Sequence, residues 1–236
     1  MKVHSIREPL QIVVATNPPR LDSDLESEVQ ALWEIETKRC HGALFNGNIF
    51  SVHQFESSRI NGCFVEYRWL AAQRHRPNLF ERLNVQPLAV SGIVESPDGI
   101  IFGRRDQQVS SDAGKWELVP SGGIDSGARG DHALVDYMRQ FFDELSDEVG
   151  IDKSDIFDPV AFSMIEDSRT HVFDLGIRGR TNLRAAQINE TFSRSSREYS
   201  NLKIVSRSAI QKFVHDDRDD IVPISIALLE VCGLLP

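Results

Sequence analysis

One passage restricts this chain more than any other. The strand-like "KWELVPSGG" runs into a glycine turn, and a helical pattern follows over residues 131–149, closed by Gly150. At about 100° per residue, Leu134, Met138, Phe141, Leu145 and Val149 share one arc, with Phe142 at its edge. That arc needs a sheet to bury it. The same helix carries four acids in "DELSDEVG". Glu144, Asp147 and Glu148 fall in the neighbouring arc, and Asp143 points further round. Like charges one turn apart cost an exposed helix only about 0.2–0.5 kcal/mol, so a solvated face would account for the acids alone. Their place directly after a strand and two glycines points instead to a cation site. Mg²⁺ takes oxygen ligands, and glycines let backbone approach the same ion.

The rest of the chain supplies the sheet. "LQIVVA" reads as a strand closed by "TNPPR". "DSDLESEVQALWEIETKR" reads as a helix capped by Asp22 or Ser23, with a stripe of Leu25, Val29, Leu32, Trp33 and Ile35. Asn46-Gly47 between apolar runs suggests a hairpin. "CFVEYRWLAAQRHR" is expected to be a strand passing into a helix, or a helix throughout, stopped by Pro77. From Pro87 the texture changes. "PLAVSGIVES" and "GIIFGRR" are strands joined by the turn "PDG". "DPVAFSMI" and "THVFDLGIRG" form a strand pair, "NLKIVS" is a further strand, and two helices end the chain. Strands with interspersed helices predict an α/β fold, a mixed sheet covered by helices in a three-layer α/β/α sandwich. The change of texture predicts an N-terminal α/β extension over 1–85 and a main domain over 86–236.

Composition narrows the partners. A net charge of −9 argues against nucleic acid and anionic membranes, which are polyanions. It does not argue against a small anionic ligand, because a metal or a local arginine reverses the field at one site. Three cysteines without a CxxC make neither a disulfide framework nor a zinc motif. No apolar run is long enough to span a bilayer, and the N-terminus lacks a signal-peptide core. The expectation is a soluble, cytoplasmic protein; a homodimer is compatible with the sequence.

"ELSDEVGI", preceded by "WELVPSGG", resembles the Nudix hydrolase signature G-x5-E-x7-R-E-U-x-E-E-x-G-U, where U is aliphatic. Glu144, Leu145, Asp147 (for the first of the paired Glu), Glu148, Gly150 and Ile151 match its second half. The resemblance covers the chain from about Pro87 onward. There are departures. Gly123 and Glu144 are separated by about six residues more than the pattern has, Asp143 stands where it has arginine, and its middle Glu has no counterpart. Arg104, Arg105 or Arg139 would have to replace the missing brace. In motif order the chain also looks like a Nudix branch with an N-terminal extension that hydrolyses UDP-glucose and UDP-galactose.

The resemblance implies an Mg²⁺-dependent (or Mn²⁺-dependent) hydrolase that splits the diphosphate linkage of a nucleotide substrate. It implies metal ligands at Glu144, Asp147, Glu148 and the Gly123 carbonyl. Glu198, before the strand "NLKIVS", becomes the candidate base beside the helix acids Glu144 and Glu148, with Glu166 and Asp167 as rivals. Arg104, Arg105, Trp116 and Gly122 are candidates for the substrate, against the plain alternatives of a solubilising pair, core packing and a tight turn. Tyr67 and Trp69 are better read as core, and His171 as structural. Two alternatives stand beside a nucleotide-sugar hydrolase: a nucleoside triphosphate pyrophosphatase and a non-catalytic nucleotide sensor. No G-x-S-x-G elbow and no Walker A loop is present.

Overall fold

The computed structural model describes residues 1–15, 17–40, 44–109, 111–195 and 198–236. The first part of the chain contains β1 (Lys2–Ser5), β2 (Gln11–Val14), α1 (Ser23–Arg39), β3 (Asn48–Glu56), β4 (Arg59–Glu66), α2 (Tyr67–His75) and α3 (Phe80–Leu83). There follow β5 (Leu88–Ser96), β6 (Gly99–Arg105), β7 (Trp116–Leu118), β8 (Ser121–Gly123), α4 (Tyr137–Val149), β9 (Ile156–Asp167) and β10 (Val172–Thr181). The chain ends with α5 (Ala185–Ser195), β11 (Tyr199–Val205), α6 (Ile210–Asp216) and α7 (Pro223–Val231).

The large sheet runs β1-β9-β10-β5-β6-β11, with β7 added on β6 and β8 on β5. β10 and β5 are parallel, while β9 with β10 and β6 with β11 are antiparallel, so the sheet is mixed. One face is covered by α4 and α5. Phe141, Leu145, Val149 and Ile188 are buried there against Val90, Val94, Ile101 and Leu175. The other face is covered by α6 and α7, whose Phe213, Leu228 and Leu229 pack on Ile93, Ile100, Phe102 and Leu118. The expected α/β/α sandwich is therefore present. Among the described residues no helix is long and apolar enough to cross a membrane.

A small sheet, β2-β4-β3, carries α1 and α2 on one side through Leu25, Val29, Leu32, Cys63 and Trp69. Its other side, with Ile12, Phe50, Ile60 and Phe64, belongs to the same apolar cluster as α4. The segment between Gly123 and α4 makes this junction. The Phe50 amide donates to the Ile124 carbonyl at 2.8 Å, and the Val135 amide to the Ile12 carbonyl at 2.9 Å. Ala128 and Val135 are buried beside them. The residues added between glycine turn and acid helix thus serve as the seat of the small sheet. β1, from the same N-terminal stretch, is the edge strand of the large sheet, paired with β9.

Several local expectations change. α4 begins at Tyr137 rather than near Asp131, because His132 and Ala133 have φ of 55° and 60°. Asp136 caps the helix, accepting from the Arg139 amide at 2.9 Å. Leu134 therefore lies outside the helix and is 39% exposed. Ile35 of the expected α1 stripe is also exposed. The hairpin turn falls at Ser57-Ser58, between β3 and β4, not at Asn46-Gly47; the apolar run before Asn46 begins outside the described residues. Asn46 instead staples the entry of α2, accepting from the Arg68 amide at 2.9 Å and donating to Glu66 at 2.7 Å. α5 was not expected at all, although Ala185, Ile188 and Phe192 have helical spacing.

Candidate active site

α4 delivers its acids to the glycine turn at intervals of one helical turn, because i and i+4 share a face. Gln140 donates through Nε2 to Glu144 Oε1 at 2.7 Å. Glu148, one turn further, is 2% exposed. Its Oε2 accepts from the Ser121 amide at 3.0 Å. Its Oε1 is buried without a hydrogen-bond partner. β8 lies directly over these carboxyls, and a methyl group on Gly122 would overlap the Glu144 carboxyl. Glycine is required there so that backbone and acid can meet. Gly123 has open space where a side chain would stand.

Burial of like charges shows in the proton affinities. Desolvation first, then Glu144 and Glu117, push the Glu148 carboxyl well above the usual range. Desolvation likewise raises Glu144 to about 7, opposed by the Gln140 hydrogen bond and reinforced by Glu198, Asp125 and Asp147. Perturbed acids of this kind concentrate at functional sites.

β6, β7 and β11 bring a second group to the same place. Glu117 is buried and forms an ion pair with Arg105. Tyr199 donates its hydroxyl to Glu117 Oε2 at 3.1 Å. Gly103 leaves room for the Tyr199 ring, which a methyl group would strike. Glu198 is the next residue, and its carbonyl accepts from the Asp106 amide at 2.8 Å. Its carboxyl is pushed up, first by desolvation and then by Glu117, with Arg105 opposing. The residue is exposed as a whole. At a cavity mouth that accessibility is the better guide, so Glu198 can exchange protons with water.

A cavity of about 850 Å³ joins these groups. Glu117, Glu144, Glu198, Ser121, Gly122 and Gly123 line its acidic end. Arg39, Tyr67 and Arg74, from α1 and α2, line it as well. Among the described residues, no three His, Cys, Asp or Glu side chains stand at metal-ligand spacing. The acidic end nevertheless fits a divalent cation. Glu148 Oε1 is buried without a partner, and the Glu144 and Glu148 carboxyls carry raised proton affinities that a cation would reverse.

The expected residues separate. Glu144, Glu198, Arg105, Gly122 and Gly123 meet around this cavity, and Glu148 is buried just behind its wall, on the Ser121 amide. Asp147 stays exposed and is not on the cavity wall. Arg104 and Trp116 are corrected. Strand alternation turns them to the opposite face, where Arg104 lies 5.2 Å over the Trp116 ring and 3.8 Å from Asp220. Trp116 packs there edge-on against Phe213. Arg105 is present but is taken by Glu117. Asp143 is exposed and faces Arg139 at 3.4 Å. Glu166 pairs with His4 and Asp167 with Arg169, and neither lines the cavity. His171 stacks on Phe80 at 3.5 Å. Trp69 is core, whereas Tyr67 is on the cavity wall. Sequence reasoning missed Glu117, Tyr199, Gln140, Arg39 and Arg74. An acid between Trp116 and Leu118 in a short strand was the visible clue to Glu117.

No family model matches the chain, and no curated protein matches it. Solved structures do resemble it. One is DR0079 from Deinococcus radiodurans, at 11% identity and TM-score 0.46 over 61% of this chain and 82% of that one. Another is a Nudix hydrolase from Nitrosomonas europaea, at 11% identity and TM-score 0.44 over 62% and 88%. A third is the C. elegans Ap4A hydrolase in a binary complex, at 13% identity and TM-score 0.41 over 61% and 95%. These are likenesses in outline, and none assigns an activity to this chain.

Proposed function

We propose that this protein is a divalent-metal-dependent hydrolase of the Nudix type, which cleaves the diphosphate linkage of a nucleoside diphosphate derivative. The observation that carries the reading is Glu148: a buried carboxylate with an unpartnered oxygen, held by the Ser121 amide under the glycine turn and next to Glu144. A buried carboxyl oxygen without a partner is costly to folding, and a bound cation would give it one. Glu144 and Glu148, with the Gly123 carbonyl and Asp147 at the margin, are the groups that would hold Mg²⁺ or Mn²⁺. A bound cation there supplies neutralisation of the diphosphate oxygens and acidifies a water.

The chain's own residues do the rest. The Ser121 amide orients Glu148, and the Gln140 amide group orients Glu144. Glu198 at the mouth, or Glu144, takes the proton of the attacking water. Attack at one phosphorus breaks the bridging P–O bond, and the other phosphate carries the electron pair away. Most of the acceleration comes from positioning and charge neutralisation, as in phosphoryl transfer generally. The finer reading is a nucleotide sugar such as UDP-glucose, split to a nucleoside monophosphate and a sugar 1-phosphate. It is supported by the sequence resemblance and by a cavity with room for both halves.

The test is incubation with nucleotide sugars, dinucleotides and nucleoside triphosphates plus Mg²⁺, followed for monophosphate release. Turnover of a nucleotide sugar above the others supports the finer reading. No turnover of any compound, with tight binding of one, replaces the hydrolase by a nucleotide sensor.

A further inference from the structure

A second cavity, of about 270 Å³, is lined by Glu36, Arg39, Tyr67, Ala71, Arg74 and His75. Three of these, Arg39, Tyr67 and Arg74, also line the large cavity, so the two spaces share a wall. All six residues come from α1 and α2. Tyr67, Ala71 and Arg74 are at i, i+4 and i+7, which sets them along one face of α2. Ala71, between them on that face, adds only a methyl group to the wall. Trp33 meets the Tyr67 ring edge-on, with centroids 6.2 Å apart, and steadies it.

The charges on this wall are not equivalent. Arg39 is committed to Glu36, donating through Nε at 3.0 Å. His75 also faces Glu36, at 4.0 Å. Among the described residues, Arg74 forms no ion pair. The carboxyls of Glu117, Glu144 and Glu198 in the large cavity repel a diphosphate until a cation is present. The positive charge that can attract the substrate without a metal is therefore on the α1–α2 wall. Tyr67, along the same face of α2, is the aromatic side chain on the same wall, the type of group on which a flat ring system stacks.

We propose that Tyr67 and Arg74 form a subsite for the nucleoside monophosphate half of the substrate, with the base against Tyr67 and a phosphate oxygen on Arg74. The identity of the whole substrate rests on the hydrolase reading, but the subsite does not require turnover. It gives the N-terminal helices a specificity role in a site whose chemistry sits on the large sheet.

The experiment is calorimetric titration of the full chain with UMP and with AMP in EDTA at low salt, where the acidic end contributes no attraction. The parent protein binds at least one of the two. Arg74→Gln binds it about tenfold or more weakly, the loss of one charge-assisted hydrogen bond, and Arg74→Lys falls between them. With Mg²⁺ and the best substrate of the panel, Arg74→Gln raises KM and leaves kcat nearly intact. Thermal melts confirm that both variants fold. Affinities of parent and Arg74→Gln within twofold, or a parent that binds neither nucleotide, overturn the subsite. Turnover with no dependence on Arg74 leaves the hydrolase and removes the subsite. Arg74-dependent binding without turnover keeps the subsite and removes the hydrolase.

Discussion

The two faces of the large sheet are built by opposite rules. Under α6 and α7, Phe102, Trp116, Leu118, Phe213 and Leu228 close an apolar core, and Arg104 lies at its rim with Asp220. Under α4, apolar packing gives way near the glycine turn to Glu117, Glu144 and Glu148. Arg105 is paired with Glu117. The first face is arranged for stability. The second carries charge that folding alone would not favour, since a buried ion without a partner costs several kcal/mol. Arg104 and Arg105 are adjacent in sequence and fall on different sides of this divide because successive residues of a strand face opposite ways.

The largest effect that would break this contrast is at Glu148. With Mg²⁺, Glu148→Gln is expected to lower kcat by about 10²–10³ or more in a monophosphate-release assay, the scale of losing one preorganised charge at a reacting centre. The metal-free variant should melt at or above the parent temperature. Unchanged activity would show that the α4 acids are ordinary surface chemistry. Gly122→Ala comes next. Its methyl group pushes on the Glu144 carboxyl, so we expect activity to fall about 10–100-fold and stability by about 1–3 kcal/mol. A variant with full activity would mean that turn and acid need not meet.

A pH experiment sharpens the same comparison through stability. Glu144 has its carboxyl raised to about 7 by burial. For an acid whose folded pKa lies above the unfolded one, the folded state binds more protons between the two values, so stability falls as pH rises through that window. The metal-free protein should therefore lose up to about 3 kcal/mol of stability between about pH 4.5 and about pH 7 on account of this group, or several degrees of melting temperature. Glu144→Gln should flatten that slope, and a slope that survives the substitution would assign it to other acids. The smallest effect is on the far face. Arg104→Ala should keep kcat/KM within about twofold, since its charge is screened and its partner distant. A tenfold loss would move the substrate to the other side of the sheet.

Much of the sheet and helix order was legible because it rests on short-range periodicity. The α4 stripe of Phe141, Leu145 and Val149 and the placing of Glu144 and Glu148 beside it follow from 3.6 residues per turn. The glycine pair ahead of the acid helix likewise signals a close approach of backbone, and Gly122 does meet the Glu144 carboxyl. Glu117 and Tyr199 were not legible in that way. They are 82 residues apart, and nothing local to either says that the hydroxyl of one reaches the carboxylate of the other. The start of α4 failed for a related reason: His132 and Ala133 take a left-handed conformation that only their surroundings select.

By itself, then, the sequence determined most of the strands and helices, that a helix with paired acids follows a glycine turn, and that the chain carries excess negative charge. Helical and strand periods, turn chemistry and charge are properties of near neighbours. Tertiary structure alone decided that Asp147 stays at the surface while Glu148 is buried, that Arg105 rather than Arg104 reaches the cavity, and that Tyr67 and Arg74 of an N-terminal helix line the same cavity as Glu144. Those outcomes depend on how sheet faces stack and on which distant segments meet, and burial and pairing are set at that level.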